Sequence, residues 1–236
     1  MTPGDPLLLR CLALTGSFET GLAAPACFGR IAGDFDGQGI SYSALQWNIG
    51  RATLQPLLRQ MLSKYPDIML RVFGSTFRDK LADILLARIQ GQLIWARSLQ
   101  DQHHYVLAPW CTAFTALGAT PEWQEVAMES AAKYFDQAKF QASQFSLTSD
   151  RALALLFDCS VQNGGVNQLA MHHALDQFSA SPSWGEPEKM RCIAGAVADS
   201  ANPMWRRDVL DRKLAIANGV GIVHGVNFDL AKDFAI

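Results

Sequence analysis

The chain has 236 residues, 49% of them hydrophobic, with 20 Lys and Arg against 22 Asp and Glu. That length and apolar content can bury a full core, as one large domain or two lobes sharing a cleft, while the near-neutral charge excludes the broad positive field that nucleic acid or an anionic membrane would require. The five cysteines, Cys11, Cys27, Cys111, Cys159 and Cys192, show no Cys-x-x-Cys spacing and leave one over, which excludes a zinc ribbon and a complete disulfide framework and points to buried thiols.

At the start of the chain no basic residue precedes Leu7-Leu8-Leu9 and Arg10 soon interrupts them, so no secretory leader is read. No run of about 18 apolar residues exists to cross a membrane. From Pro6 to Phe18 the pattern predicts a helix, with Pro6 in its first turn and Gly21 as a left-handed stop. Leu8, Leu12, Thr15 and Glu19 share one face of it, which predicts that Glu19 is partly buried. The last turn of a helix also carries the negative end of the dipole, a setting that favours the protonated form of a carboxylic acid.

Gly33-Asp34-Phe35-Asp36-Gly37-Gln38-Gly39 is too rich in glycine and aspartate for a helix interior. The flanking Ile31-Ala32 and Ile40-Ser41-Tyr42 predict a small hairpin around it. Such a loop offers backbone amides and water to Asp36, the surroundings of a base or charge stabiliser. Two carboxylates in contrasting environments, Glu19 and Asp36, are what acid/base cleavage of a glycosidic bond needs.

Ala44 to Lys64 reads as helical, with Pro56 marking a kink or junction and Pro66 the end. Thr76 is the predicted cap of a long helix running to about Leu99, and Pro121 the first position of another running to about Phe145. Ala152 to Val161 is apolar almost all round and predicts a central buried helix whose end, Asn163-Gly164-Gly165, opens onto a cleft. A loop around Ser179 to Pro187 precedes predicted helices at 186–199 and 203–217. The expected architecture is mainly α, one two-lobed domain over residues 1–236 with a small β hairpin beside the cleft.

Metal and cofactor chemistry are not expected. His103-His104 and His172-His173 are adjacent pairs whose side chains diverge on a helix, and no His-Glu-x-x-His is present. Asp34-Phe35-Asp36-Gly37 begins like a calcium loop but lacks the later oxygen ligands and the closing glutamate. Gly219-Val220-Gly221-Ile222-Val223-His224-Gly225 lacks the last glycine of a dinucleotide fingerprint and follows a helix, so it reads as a turn. His224 is first a structural histidine and second a candidate to line the cleft. Trp47 and Trp184 are the candidate sugar-stacking platforms. Asp34 adds to the acidic pair, and Gln46, Gln162 and Asn163 offer neutral hydrogen-bonding groups for the substituents of a ligand.

The order of helix, glutamate, short interval and Asp36-Gly37-Gln38-Gly39-Ile40-Ser41 resembles the chitosanases of glycoside hydrolase family 46, part of the wider lysozyme superfamily. In that family a glutamate ending the first long helix is the acid, an aspartate in Asp-Gly-Arg-Gly-Tyr-Thr is the base, and the threonine helps position the attacking water. The resemblance makes Glu19 the acid, Asp36 the base and Ser41 the water-positioning hydroxyl, with Gln38 and Ile40 in place of the arginine and tyrosine. Leu155 to Gly165 is similar to the family's helix behind the cleft, which carries Asp-x-x-Ile-Gln-His-Gly, with Asn163 where the histidine stands. Ser41 to Asn48 resembles the Ser-x-Gly-Ala-Leu-Gln-Phe type sequence of peptidoglycan-cleaving domains in phage and in toxins of bacterial secretion systems, with Ser43 in place of glycine. The match covers residues 7–60 and 150–166, and the remainder only by length and helical content.

The resemblance implies a lysozyme-like fold and an inverting glycoside hydrolase, in which the two carboxyl groups stand about 6.5–9.5 Å apart. The expected activity is that of a muramidase cleaving β-1,4 bonds of peptidoglycan in wall lysis, with Gln46, Gln162 and Asn163 as the neutral groups for its lactyl and peptide substituents. Chitosan hydrolysis is the first alternative, and a non-catalytic wall-binding or phage-tail module the second. As an antibacterial toxin it would have an immunity or inhibitor protein as a partner. Its place of action would be the periplasm or the cell wall, reached from the cytoplasm by lysis or a secretion machine.

Overall fold

A computed structural model describes residues 5–236, so the part of the leader reading that rests on Met1–Gly4 lies outside the described residues. The described residues are mainly α, with two small antiparallel sheets. In chain order come α1 (Pro6–Thr20), a 3-10 turn (Ala26–Gly29), β1 (Ile31–Ala32), β2 (Ser41–Tyr42), β3 (Trp47–Asn48), α2 (Leu54–Lys64), α3 (Pro66–Leu86), α4 (Ile89–Ser98) and α5 (Trp110–Gly118). Then follow α6 (Pro121–Phe145), α7 (Asp150–Asn163), α8 (Gln168–Ala180), α9 (Glu186–Asp199), α10 (Arg206–Asn218), β4 (Val220–Val223), β5 (Val226–Asp229) and α11 (Leu230–Phe234). Among the described residues two compact units result, one formed by Thr15–Ser130, the other by residues 5–14 with Ala131–Ile236. Among the described residues no helix is long and apolar enough to cross a membrane.

The first of these units is organised by the sheet β1-β2-β3, in which Ile31 faces Tyr42, Ala32 faces Ser41, and Ser41 and Tyr42 in turn face Asn48 and Trp47. Strand side chains alternate, so Tyr42 enters the core while Ser41 stays half-exposed. The Tyr42 ring packs at 4.9 Å from Phe114 and 4.8 Å from Trp123, and its hydroxyl donates to the Phe114 carbonyl at 2.6 Å. Burial pushes that phenol well above its ordinary pKa.

Two expectations are corrected here. Residues 44–53 form turns and β3, with α2 beginning only at Leu54. Ser43 (φ 70°) and Gln46 (φ 50°) take left-handed conformations that no helix accepts. Trp123 Nε1 fixes the first by donating to Ser43 Oγ at 2.9 Å, and the Gln46 amide fixes the second by donating to the Ser43 carbonyl at 2.7 Å. Pro56 consequently falls in the first turn of α2, where its missing N–H costs nothing. The long helix from Thr76 to Leu99 is also two helices: α3 begins at Pro66, breaks at Gly74 (φ 68°, ψ 169°) and ends at Leu86 before α4 starts.

The second unit is built around α7. Its buried face runs through Ala154, Leu155, Leu156, Phe157, Asp158, Cys159 and Ser160, as its apolar sequence predicts. Ser149 Oγ caps its start by accepting the Ala152 N–H, and Gly164 (φ 75°) ends it in the left-handed conformation. The helices α6, α9 and α10 follow the predicted ranges closely. The glycine-rich stretch after α10 is a strand, and the β4-β5 hairpin turns at His224 and Gly225, both at positive φ. None of the five cysteines forms a disulfide; Cys11, Cys27 and Cys159 are buried, and Cys111 and Cys192 are half-buried.

Within this second unit lies a buried ionic network. Asp158, 0% exposed, takes Arg212 Nη2 on one oxygen and Lys213 Nζ on the other, each at 2.6 Å. Lys213 also donates to Gln162 Oε1 at 2.6 Å, Gln162 Nε2 donates to Asp208 at 2.9 Å, and Asp208 pairs with His224. Burial by itself would raise the Asp158 carboxyl, but the two cations outweigh it and hold the group well below the usual carboxylate range.

Candidate active site

Glu19 stands in the last turn of α1, and Gly21 (φ 69°) closes the helix as predicted, its N–H on the Ser17 carbonyl at 3.0 Å. The partial burial expected of Glu19 is not found. Leu8, Leu12 and Thr15 are buried on the shared stripe, but Glu19 is exposed, because residues 21–26 that follow the helix lie in solvent and cover nothing. The helix end is nonetheless fixed against the sheet. Gly16 lies so close to the turn after β2 that a methyl group on it would stand 2.6 Å from Ala44 Cβ, and Glu19 is about 4.5 Å further along the axis.

Asp36 sits at the exposed part of the loop between β1 and β2, and its Oδ1 accepts the Gln38 N–H at 3.2 Å. The loop is braced from within. Asp34, its side chain only 7% exposed, receives Arg97 Nε of α4 at 2.6 Å and the Gly39 N–H at 2.7 Å. Gln100 completes the brace by accepting the Asp34 N–H at 2.8 Å and donating to the Gly39 carbonyl at 3.1 Å. Gly39 (φ 86°) takes a left-handed conformation against Leu93 and Ala96, which a side chain would not allow. Burial alone would raise the Asp34 carboxyl, yet the bonds from Arg97 and Gly39 outweigh it and keep it below its ordinary value. Asp34 thus braces the loop from beneath, while Asp36 faces solvent.

Ser41 lies in β2 at the end of the same loop, half-exposed. The structure therefore brings Asp34, Asp36 and Ser41 into one braced sheet-and-loop element, with Glu19 in the same compact unit. The other candidates divide between the two units. Trp47 is in β3 and 5% exposed, so its ring is not offered for sugar stacking. Gln46 is held by Ser43. Gln162, Asn163 and His224 belong to the second unit, where Gln162 and His224 are engaged by Asp208 and Lys213. Asn163 ends α7 with its Oδ1 buried. Trp184, in the loop before α9, packs against Phe178 at 6.4 Å. Arg97 and Gln100, which fix the loop, gave no signal in the sequence, since each lies more than sixty residues from its partner.

No protein-family model matches the sequence, and no curated protein matches it. Solved structures do match. The fold is that of solved chitosanases, one of them of family 46, over nearly the whole chain. A Gynuella sunshinyii chitosanase of that family in complex with chitotetraose aligns with a TM-score of 0.58 and 14% identity, over 97% of this chain and 99% of that one. A further chitosanase complex gives a TM-score of 0.57 and 17% identity, over 94% and 95% of the two chains. A Bacillus subtilis chitosanase with a glutamate replaced by alanine, bound to six glucosamine units, gives 0.55 and 14% identity over 91% and 88%.

Proposed function

We propose that the protein is a glycoside hydrolase of β-1,4-linked amino-sugar polymers, acting on chains of glucosamine ahead of peptidoglycan. The observation that carries this reading is the presentation to solvent, in one compact unit, of a glutamate at a helix end and an aspartate on a braced glycine loop, within the fold that the chitosanases share. Glu19 gives its proton to the departing glycosidic oxygen as the bond to the anomeric carbon breaks. Asp36, with Ser41 orienting the water, takes a proton from the water that attacks that carbon from the opposite face, so the configuration inverts. Exchange with solvent after product release restores both groups. A bound sugar chain supplies the exclusion of water that Glu19 lacks in the free protein.

Two observations favour glucosamine over the muramidase reading. Structures of this fold hold chitotetraose and a glucosamine hexamer. Gln46 and Gln162, the neutral groups expected to meet the substituents of peptidoglycan, are held by the protein itself. A polymer of this kind is met outside the cytoplasm, at the wall or beyond it. The test is the release of reducing ends from a soluble glucosamine polymer and from purified sacculi, with the anomer of the first product read by NMR. Release from sacculi alone would return the enzyme to the muramidases, with an inhibitor partner to be sought. Release from neither would end the hydrolase reading.

A further inference from the structure

Two loops bring three rings together at Phe35, the residue before Asp36. Phe35, its immediate neighbour, is 62% exposed, and Tyr105, also 62% exposed, stands 6.2 Å from it between ring centroids. The His104 ring lies 5.6 Å from Phe35. Large rings that meet one another in solvent gain little from the core, and a cluster of them on an otherwise polar loop marks a binding surface. The arrangement is built rather than incidental. A methyl group on Gly33 would stand 1.9 Å from the His104 carbonyl, so only glycine there lets the two loops close on each other. Asp101 fixes the second loop by accepting the N–H groups of His103 at 2.8 Å and Tyr105 at 2.9 Å, while Gln100 pairs with Val106 and clamps the Asp36 loop through its side chain. His104 is held at φ 62°, a conformation its neighbours must impose.

We propose that Phe35, held edge-to-face by His104 and Tyr105 at interplanar angles of 65° and 75°, presents the ring of a carbohydrate-stacking platform that binds the glucosamine unit next to the bond cleaved at Asp36. This rests on the reading of Asp36 as the base. Consecutive Cα atoms are about 3.8 Å apart, so the Phe35 ring is within reach of a sugar adjoining the reacting one. The C–H face of a pyranose lies flat against an aromatic ring, and a glucosamine ammonium adds a cation–π attraction that an acetylated sugar lacks. Because both loops are fixed before the ligand arrives, little ordering opposes binding.

The experiment compares the parent with Phe35→Ala, Tyr105→Ala and the ring-retaining Phe35→Tyr in hydrolysis of a glucosamine hexamer. Both positions are exposed, and melting temperatures check that the fold is kept. Each alanine variant should raise KM about tenfold with kcat little changed, and Phe35→Tyr should recover the parent value. An unchanged KM in both alanine variants overturns the platform while leaving Asp36 as the base. If the parent cleaves nothing, the hydrolase reading fails on its own, and retention on an immobilised glucosamine polymer decides the platform. Retention lost in both alanine variants upholds it; equal retention, or none by the parent, overturns it.

Discussion

Asp158 and Asp36 are the same side chain in opposite circumstances. Asp158 in α7 is wholly buried, with a cation on each oxygen, and a third charged and polar layer of Gln162, Asp208 and His224 beyond them. Asp36 is exposed on a loop and accepts the Gln38 N–H. Between these extremes is Asp34, two residues from Asp36 yet taken up by Arg97 and Gly39. The difference teaches that a carboxylate serves chemistry only while some of its accepting capacity stays open to a ligand; once cations fill it, the same group becomes a structural tie.

That contrast can be broken most directly at the exposed pair. Glu19→Gln and Asp36→Asn should each lower kcat/KM by about 10²–10⁴ with an unchanged melting temperature, and a variant that keeps full activity would remove the pair from the mechanism. At the buried tie the effects reverse. Asp158→Asn leaves two buried cations without their counter-charge and should cost about 3–5 kcal/mol in denaturant unfolding, with activity per folded molecule retained. Because the folded carboxyl titrates below its unfolded value of about 3.9, its stabilisation is present at neutral pH and fades as pH drops beneath that value. The stability gap between parent and Asp158→Asn should therefore narrow below about pH 4.

Asp34→Asn sharpens the intermediate case. Losing its charge-assisted tie to a half-exposed Arg97 should cost about 1 kcal/mol, but displacement of the loop should lower kcat about tenfold. The smallest effect concerns the seat of Glu19. Gly16→Ala gains helix propensity of about 1 kcal/mol yet drives a methyl against Ala44, for a net loss of about 1 kcal/mol that Ala44→Gly in the same chain should relieve.

The helices with local punctuation were readable from the chain. Pro6 and Gly21 bound α1, Pro121 opens α6, and Asn163-Gly164 closes α7, because each cap acts on its own backbone within a few residues. What escaped was set at a distance. The turn at Ser43 and Gln46, which makes a strand of a helical-looking stretch, depends on Trp123 eighty residues away. The exposure of Glu19 depends on what does not cover it, which spacing along a helix cannot report. The aspartates of the loop were visible, but their division into a buried brace and an exposed carboxylate needed Arg97 and Gln100. The pairing of Phe35 with Tyr105 likewise needed two loops seventy residues apart to meet.

The thiols carry a last consequence. Burial pushes Cys27 and Cys159 up to about 11 and Cys11 further still, so at neutral pH these thiols stay protonated. Oxidants and alkylating reagents therefore meet Cys111 and Cys192 first, and the interior stays chemically quiet. Such a chain can pass from a reducing compartment to an oxidising one without its core being rewired.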